Sequence, residues 1–197
     1  MSENNIYQQQ NNGYIRLIMG PMFSGKTTFL KSIFDRFTIA GKKCLMVKYV
    51  NDNRYDEKYV VTHTGIKCTG DTIKAGKLME LDNIVKNYNV ICIDEIQFYN
   101  DAPDYCDKWA NEGLIIICAG LSGTFERKEF PIISKLIPLC EKIELLRAVC
   151  PETGNDATFS YRISDNNNVI DIGGSDKYKA VDRITYNNLI NSKLNNK

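Results

Sequence analysis

Tyr14 to Ala40 reads YIRLIMGPMFSGKTTFLKSIFDRFTIA, and three patterns succeed one another within it. Tyr14 to Met19 is an apolar run of strand length that stops at Gly20. From Lys26 onward, Phe29, Leu30, Ile33, Phe34 and Phe37 recur at spacings of one, three and four, which is a single helical face, and Gly41 supplies a C-terminal stop. Between strand and helix lies Gly20-Pro21-Met22-Phe23-Ser24-Gly25-Lys26-Thr27, a match to G-x-x-x-x-G-K-[ST] in the strand-loop-helix setting this motif requires. Its glycines let the backbone curl until N–H groups converge on phosphate oxygens. Lys26 brings a fixed charge to β- and γ-phosphates, Thr27 offers a hydroxyl to Mg2+, and the helix N-terminus adds its dipole.

Further along, Val90-Ile91-Cys92-Ile93-Asp94-Glu95 is an apolar strand ending in two acids. A carboxylate at the C-terminal end of such a strand sits beside the loop and holds Mg2+ through its water shell, which makes Asp94 the candidate metal-side acid. Glu95, one residue on, points elsewhere and is placed to take a proton from an attacking hydroxyl or water. Cys44 to Tyr49 and Leu114 to Ala119 are further apolar runs, and Lys142 to Leu146 is a weaker one. Continuous rather than alternating hydrophobicity indicates strands buried on both faces, with helices between them such as the one around Tyr105 to Asn111. The order β-α-β-α-β specifies an α/β sheet covered by helices. Beyond Cys150 the short pieces FSYRI and NVIDI flank the turn-rich SDNNN, a hairpin signal that sets off a small second unit from Cys150 to Tyr186.

The chain has 197 residues, with 25 Lys+Arg against 24 Asp+Glu and a formal net charge of +1, so no electrostatic attraction to nucleic acid or membrane is expected. No run reaches the roughly 18 apolar residues of a bilayer span, and the polar stretch Met1 to Asn12 does not read as a signal peptide. The seven cysteines show no paired spacing and lie mostly in apolar runs, as suits free thiols in a reducing, cytoplasmic setting. Guanine-specific switch proteins normally carry an Asn-Lys-x-Asp segment; none occurs here, which favours ATP over GTP.

Read together, GPMFSGKTT at Gly20, DNRY at Asp52, DEIQF at Asp94, GLSGTFERKEF at Gly120 and IGGSDKY at Ile172 closely resemble, in identity and order, the type II thymidine kinases of animal cytosol, bacteria and large DNA viruses. The resemblance spans Tyr14 to Tyr186. It implies a P-loop, RecA-like parallel sheet with flanking helices over residues 14–149 and a C-terminal β-hairpin "lasso" subdomain over 150–186; the polar ends, 1–13 and the Asn/Lys-rich 187–197, are expected to be disordered tails. The implied activity is transfer of the γ-phosphoryl of ATP to the 5′-hydroxyl of thymidine with Mg2+. Glu95 would be the general base, and Asp94 with Thr27 the magnesium side. The loop Gly20 to Thr27 and Arg54 would bind ATP. By the same resemblance Phe98, Phe125 and Phe130 wall the nucleoside pocket, where an aromatic face stacks on a flat pyrimidine, and Arg127 and Lys128 are read either as pocket residues or as surface charge. Val169, Ile170, Asp171, Ile172 and Gly173 fall on the lasso segment that binds the base edge largely through main-chain groups, together with Tyr178, and Ser160 is a polar contact from the first hairpin strand. Main-chain reading implies that deoxyuridine is tolerated better than deoxycytidine. A homotetramer is implied, and thymidine triphosphate is a candidate feedback inhibitor.

Many family members hold a structural zinc at the lasso base through two C-x-x-C or C-x-x-H pairs. Here the corresponding positions are Cys150, Thr153, Asp182 and Thr185, of which only Cys150 is a strong ligand, so zinc is expected to be absent. The lasso is then expected to be held by packing through Val149, Phe159 and Ile184 and by the stiff Pro151. Ser122 replaces an Asp frequent in the family, and His63 is read as structural. The competing functions are a P-loop ATPase or helicase-like motor, disfavoured by the neutral charge, and a non-catalytic nucleotide-binding module, disfavoured by intact Lys26, Thr27, Asp94 and Glu95.

Overall fold

In the computed structural model, which describes residues 13–52, 60, 68, 70–163 and 173–195, the apolar runs become the strands of one sheet. β1 (Tyr14–Gly20) leads through the glycine loop into α1 (Lys26–Ile39); β2 (Cys44–Tyr49), β3 (Asp71–Ala75) and β4 (Val90–Ile93) follow. α2 (Ala102–Asn111), β5 (Ile115–Leu121), α3 (Pro131–Leu136) and β6 (Lys142–Leu145) complete the unit. The six strands lie in the order β3-β2-β4-β5-β1-β6, and every neighbouring pair is parallel.

Successive side chains on each strand face opposite sides of the sheet. Leu17, Leu45, Val47, Ile91, Ile93 and Ile116 pack on one side with Trp109 of α2 and Ile133 of α3. On the other side, Ile18, Met46, Cys92 and Ile117 pack against Leu30, Ile33, Phe34 and Phe37 of α1. Burial on both faces is why these strands read as unbroken apolar runs. β3, with the sequence DTIKA, lacks such a run because it is an edge strand on which only Ala75 is fully buried. β5 lies between β1 and β4, and since all the strands run the same way, the loop after β1 and the acids after β4 open at one end of the sheet.

The C-terminal unit is built from two short antiparallel pairs, β7 (Ala148–Val149) with β8 (Asp156–Ala157) and β9 (Phe159–Arg162) with β10 (Tyr178–Val181), followed by α4 (Arg183–Asn195). Among the described residues FSYR pairs with YKAV; the NVIDI stretch lies outside them. Two expectations are corrected. Residues 187–195 are not a frayed tail but the body of α4, held by Leu189 and Ile190 against a small core of Ala148, Cys150, Ala157, Tyr161, Val181 and Tyr186. Of the residues expected to pack the lasso, Phe159 does so, but Val149 and Ile184 are exposed. Strand alternation explains the first of these, because Ala148 and Cys150 face inward and Val149 must face out. All seven cysteines are free thiols, and no helix among the described residues is long and apolar enough to cross a membrane.

Candidate active site

Where β1 ends, Gly20 has no room for a side chain: a Cβ there would lie 2.6 Å from Ser24 Oγ and 2.7 Å from the carbonyl oxygen of Leu146. Gly25, at the other end of the loop, holds φ at 79°, a left-handed conformation that glycine adopts without steric cost. Lys26 Nζ folds back over the loop and donates to the Pro21 carbonyl at 2.6 Å, and Ser24 Oγ donates to the same oxygen at 2.9 Å. One turn of helix thus presents its first N–H groups and an ammonium to the same space.

The hydroxyl of Thr27 donates to Asp94 Oδ2 at 3.1 Å, which joins the start of α1 to the end of β4 across the intervening strand. A hydroxyl and a carboxylate beside a phosphate loop are the hard oxygen donors that Mg2+ takes, so the residues fit that ion. Asp94 is buried and also accepts the N–H of Glu95 at 3.1 Å. Glu95 itself sits at φ 54°, ψ 43°, the left-handed region, where the chain leaves β4 and enters a 3-10 turn over Ile96–Phe98. That backbone turn separates the directions of the two adjacent acids. Glu95 Oε2 accepts a 2.5 Å hydrogen bond from Gln97 Nε2, and Gln97 Oε1 accepts the N–H of Leu121 at 3.1 Å.

Aromatic rings stand around the same end of the sheet. Phe98 is half-buried and lies 5.0 Å from the ring of Tyr49. Phe125, also half-buried, is covered by the Arg162 guanidinium at 3.9 Å from its centroid. Phe130 is buried in the sheet core, where it caps the start of α3. The loop over residues 122–129 and β9 enclose a cleft of about 310 Å3 lined by Ser122, Thr124, Lys128 and Ser160 among others. Arg127 is exposed, and its guanidinium lies 4.3 Å from the ring centroid of Tyr186. Lys128 pairs with Glu126 at 2.8 Å.

The sequence compares with known proteins in agreement with this geometry. A family model described as "Thymidine kinase" matches residues 13–186. The chain belongs to the thymidine kinase family. It is 47% identical to the thymidine kinase of Sheeppox virus (strain KS-1), over 88% of this chain and 97% of that one. It is 44% identical to that of Vaccinia virus (strain Western Reserve), over 89% and 98%. The thymidine kinase of Amsacta moorei entomopoxvirus is 43% identical over 88% and 98%.

Within this thymidine kinase fold, the C-terminal unit touches the phosphate loop directly. Ser160 Oγ accepts the N–H of Met22 at 3.0 Å, and the Phe23 ring packs against the small C-terminal core. Arg162, buried on β9, donates to the Tyr178 hydroxyl at 2.7 Å while stacking on Phe125. Gly173 is buried, and a Cβ there would lie 2.5 Å from the flexible Lys177 side chain. Arg54, His63 and Val169 to Ile172 lie outside the described residues.

Sequence reasoning assigned no role to Gln97, Arg162 or Tyr186. For Gln97 the signal was present, a buried-strand motif with a carboxamide two residues after the acid. For Arg162 the signal was weaker, a lone cation among the aromatic residues of FSYRI.

The four residues at the zinc positions do converge. Thr153 Oγ1 donates to Asp182 Oδ2 at 2.6 Å, Asp182 Oδ1 accepts the Thr185 N–H at 2.8 Å, and Cys150 Sγ lies 3.6 Å from Thr185 Oγ1. One thiol, one carboxylate and two hydroxyls already bonded to one another do not fit a structural zinc, which takes four thiolate or imidazole ligands. The Thr153 hydroxyl, followed by the Thr185 N–H and hydroxyl, holds the Asp182 carboxyl at about 2. Burial pushes the Cys150 thiol up, but hydrogen bonds from Thr153, the Asp182 backbone and Thr185 outweigh it and bring the pKa down to about 7.

Proposed function

We propose that this chain is an ATP-dependent thymidine kinase of pyrimidine deoxynucleoside salvage, which transfers the γ-phosphoryl group of ATP to the 5′-hydroxyl of thymidine and releases thymidine monophosphate and ADP. The observation that carries the reading is the meeting of Thr27 and Asp94 at 3.1 Å beside a glycine loop, with Glu95 one residue further along.

The loop from Gly20 through Pro21, Met22, Phe23, Ser24, Gly25 and Lys26 to Thr27 wraps the phosphates of ATP, with Arg54 as a further contact. Thr27 and Asp94 would hold Mg2+, which when bound neutralises charge on the β- and γ-phosphate oxygens. Glu95 accepts the 5′-hydroxyl proton as the bond from that oxygen to Pγ forms and the bond from Pγ to the β-phosphate oxygen breaks. Most of the rate comes from positioning and charge neutralisation rather than from the proton transfer.

Phe98 and Phe125 offer ring faces to the base, Phe130 backs them from the core, and Ser160, Val169 to Gly173 and Tyr178 close the pocket. The lasso unit over 150–186 folds without zinc. The active species is a cytoplasmic homotetramer subject to feedback by thymidine triphosphate, and its electrostatics offer nothing to nucleic acid or membrane.

The test is phosphorylation of thymidine, deoxyuridine, deoxycytidine, deoxyadenosine and deoxyguanosine by purified protein with ATP and Mg2+, beside a control without nucleoside. Thymidine-dependent ADP release, with deoxyuridine ahead of deoxycytidine, is the expected result. ADP release that does not depend on nucleoside would replace this reading with an ATPase.

A further inference from the structure

We infer that Gln97 is a positioning residue that fixes the catalytic carboxylate of Glu95 relative to the nucleoside pocket, an inference that rests on the reading of Glu95 as the base. The two residues are joined by a 2.5 Å hydrogen bond from Gln97 Nε2 to Glu95 Oε2. The other end of the same carboxamide accepts the N–H of Leu121 at 3.1 Å. Leu121 is the last residue of β5, and the chain from there enters the loop that carries Phe125 and Phe130. A single buried side chain thus spans from the acid after β4 to the backbone of the neighbouring strand, and it does so where the pocket wall begins.

Three features show that the arrangement is built rather than incidental. Gln97 is 5% exposed, so both ends of its amide are bonded in a setting where an unpaired polar group would be costly. Its chemistry is complementary at both ends, because a carboxamide donates to the carboxylate and accepts from the peptide N–H in one rigid plane. Room for it is reserved on β5: a Cβ on Gly120 would lie 2.8 Å from Gln97 Oε1 and 2.7 Å from Ile96 Cγ2. Glu95, meanwhile, holds φ at 54°, a backbone state that a non-glycine residue keeps only when its surroundings fix it. A carboxylate on such a turn has several side-chain rotamers available, and the bond to Gln97 selects among them without contacting the reacting atoms.

The test is a double-mutant cycle with Gln97→Met, which keeps the length and removes both hydrogen-bonding ends, and Glu95→Ala, with turnover read by labelled ATP. In the wild-type background Gln97→Met is expected to lower kcat about 100-fold, the scale of a misplacement of about 1 Å, with KM for thymidine and ATP changed by less than about threefold. In the Glu95→Ala background the same substitution is expected to have no further effect on turnover. An equal loss in both backgrounds, or a loss in KM alone, would overturn the inference while leaving Glu95 as the base. Near wild-type turnover in Glu95→Ala would instead remove the base reading itself. Gln97→Leu is read in the same cycle if the methionine variant does not fold, and thermal unfolding of each variant reports that.

Discussion

Among the described residues, Phe23, Glu95 and Arg127 are non-glycine positions with φ of 63°, 54° and 61°. All three fall in segments assigned to the site: the phosphate loop, the acid pair and the loop bearing Phe125. Left-handed backbone at a residue with a Cβ costs on the order of 1–2 kcal/mol each, so the surrounding contacts must hold these turns in place, and such strain concentrates where geometry matters for chemistry. Gly20 is the opposite case, a residue selected for what it lacks. Gly20→Ala is expected to destabilise the fold by about 1–3 kcal/mol, because the added carbon meets the Leu146 carbonyl, and backbone cannot rotate aside as a side chain can. Thermal unfolding would show this as a drop of about 2–4 °C per kcal/mol, with ATP affinity lost at the same time. At this scale the sequence was informative wherever the chemistry is contiguous. Gly20 to Thr27 and Asp94-Glu95 are contiguous motifs that can be read directly, but the bond between Gln97 and Leu121 joins residues 24 apart along the chain, and no local pattern encodes it.

Elements differ in how plainly they announce themselves, and the difference follows burial. Strands covered on both faces gave continuous apolar runs. β3 at the sheet edge did not, and α3, six residues long, is too short for a helical period to show. α4 was missed for another reason: ITYNNLINSKLN is rich in Asn, a poor helix former, and its stability comes from Leu189 and Ile190 against the C-terminal core and from a cap. Asp182 is that cap, with one oxygen on the Thr185 N–H and the other on the Thr153 hydroxyl and the Asn155 amide. Its pKa of about 2 lies below the ordinary aspartate value of about 3.9. The charged carboxylate therefore contributes stability that is complete above about pH 4 and is lost as the pH falls through 2. Asp182→Ala is expected to lower Tm at neutral pH, with the gap to the wild type narrowing between about pH 4 and pH 2; a gap that stays constant over that range would show that the charge is not what the cap supplies.

For the whole molecule, strand order is what the sequence could not convey. Apolar runs state that strands are buried without stating their neighbours, so the placement of β5 between β1 and β4 emerges only from the packed sheet. In the C-terminal unit, likewise, the sequence marks the strand FSYR without naming the neighbour observed for it, Tyr178–Val181. Cys150, Thr153, Asp182 and Thr185, from two separate stretches of this unit, are joined by hydrogen bonds. Prolonged treatment with a strong zinc chelator is accordingly expected to leave Tm unchanged, and elemental analysis to give well under one zinc per chain; stoichiometric zinc with a Tm drop on chelation would refute this.

The ring of Phe23 belongs by sequence to the phosphate loop and by packing to the core beneath the C-terminal unit. In the function proposed above this residue is shared between the nucleotide loop and the unit that closes the nucleoside pocket, and any coupling between the two is reciprocal: whatever factor a bound nucleotide applies to nucleoside affinity, the nucleoside returns to the nucleotide. Titrating either ligand against protein saturated with the other reads that factor from both directions, and Phe23→Ala is expected to bring it toward unity. Seen this way, one aromatic side chain would make the affinity of each site depend on the occupancy of the other.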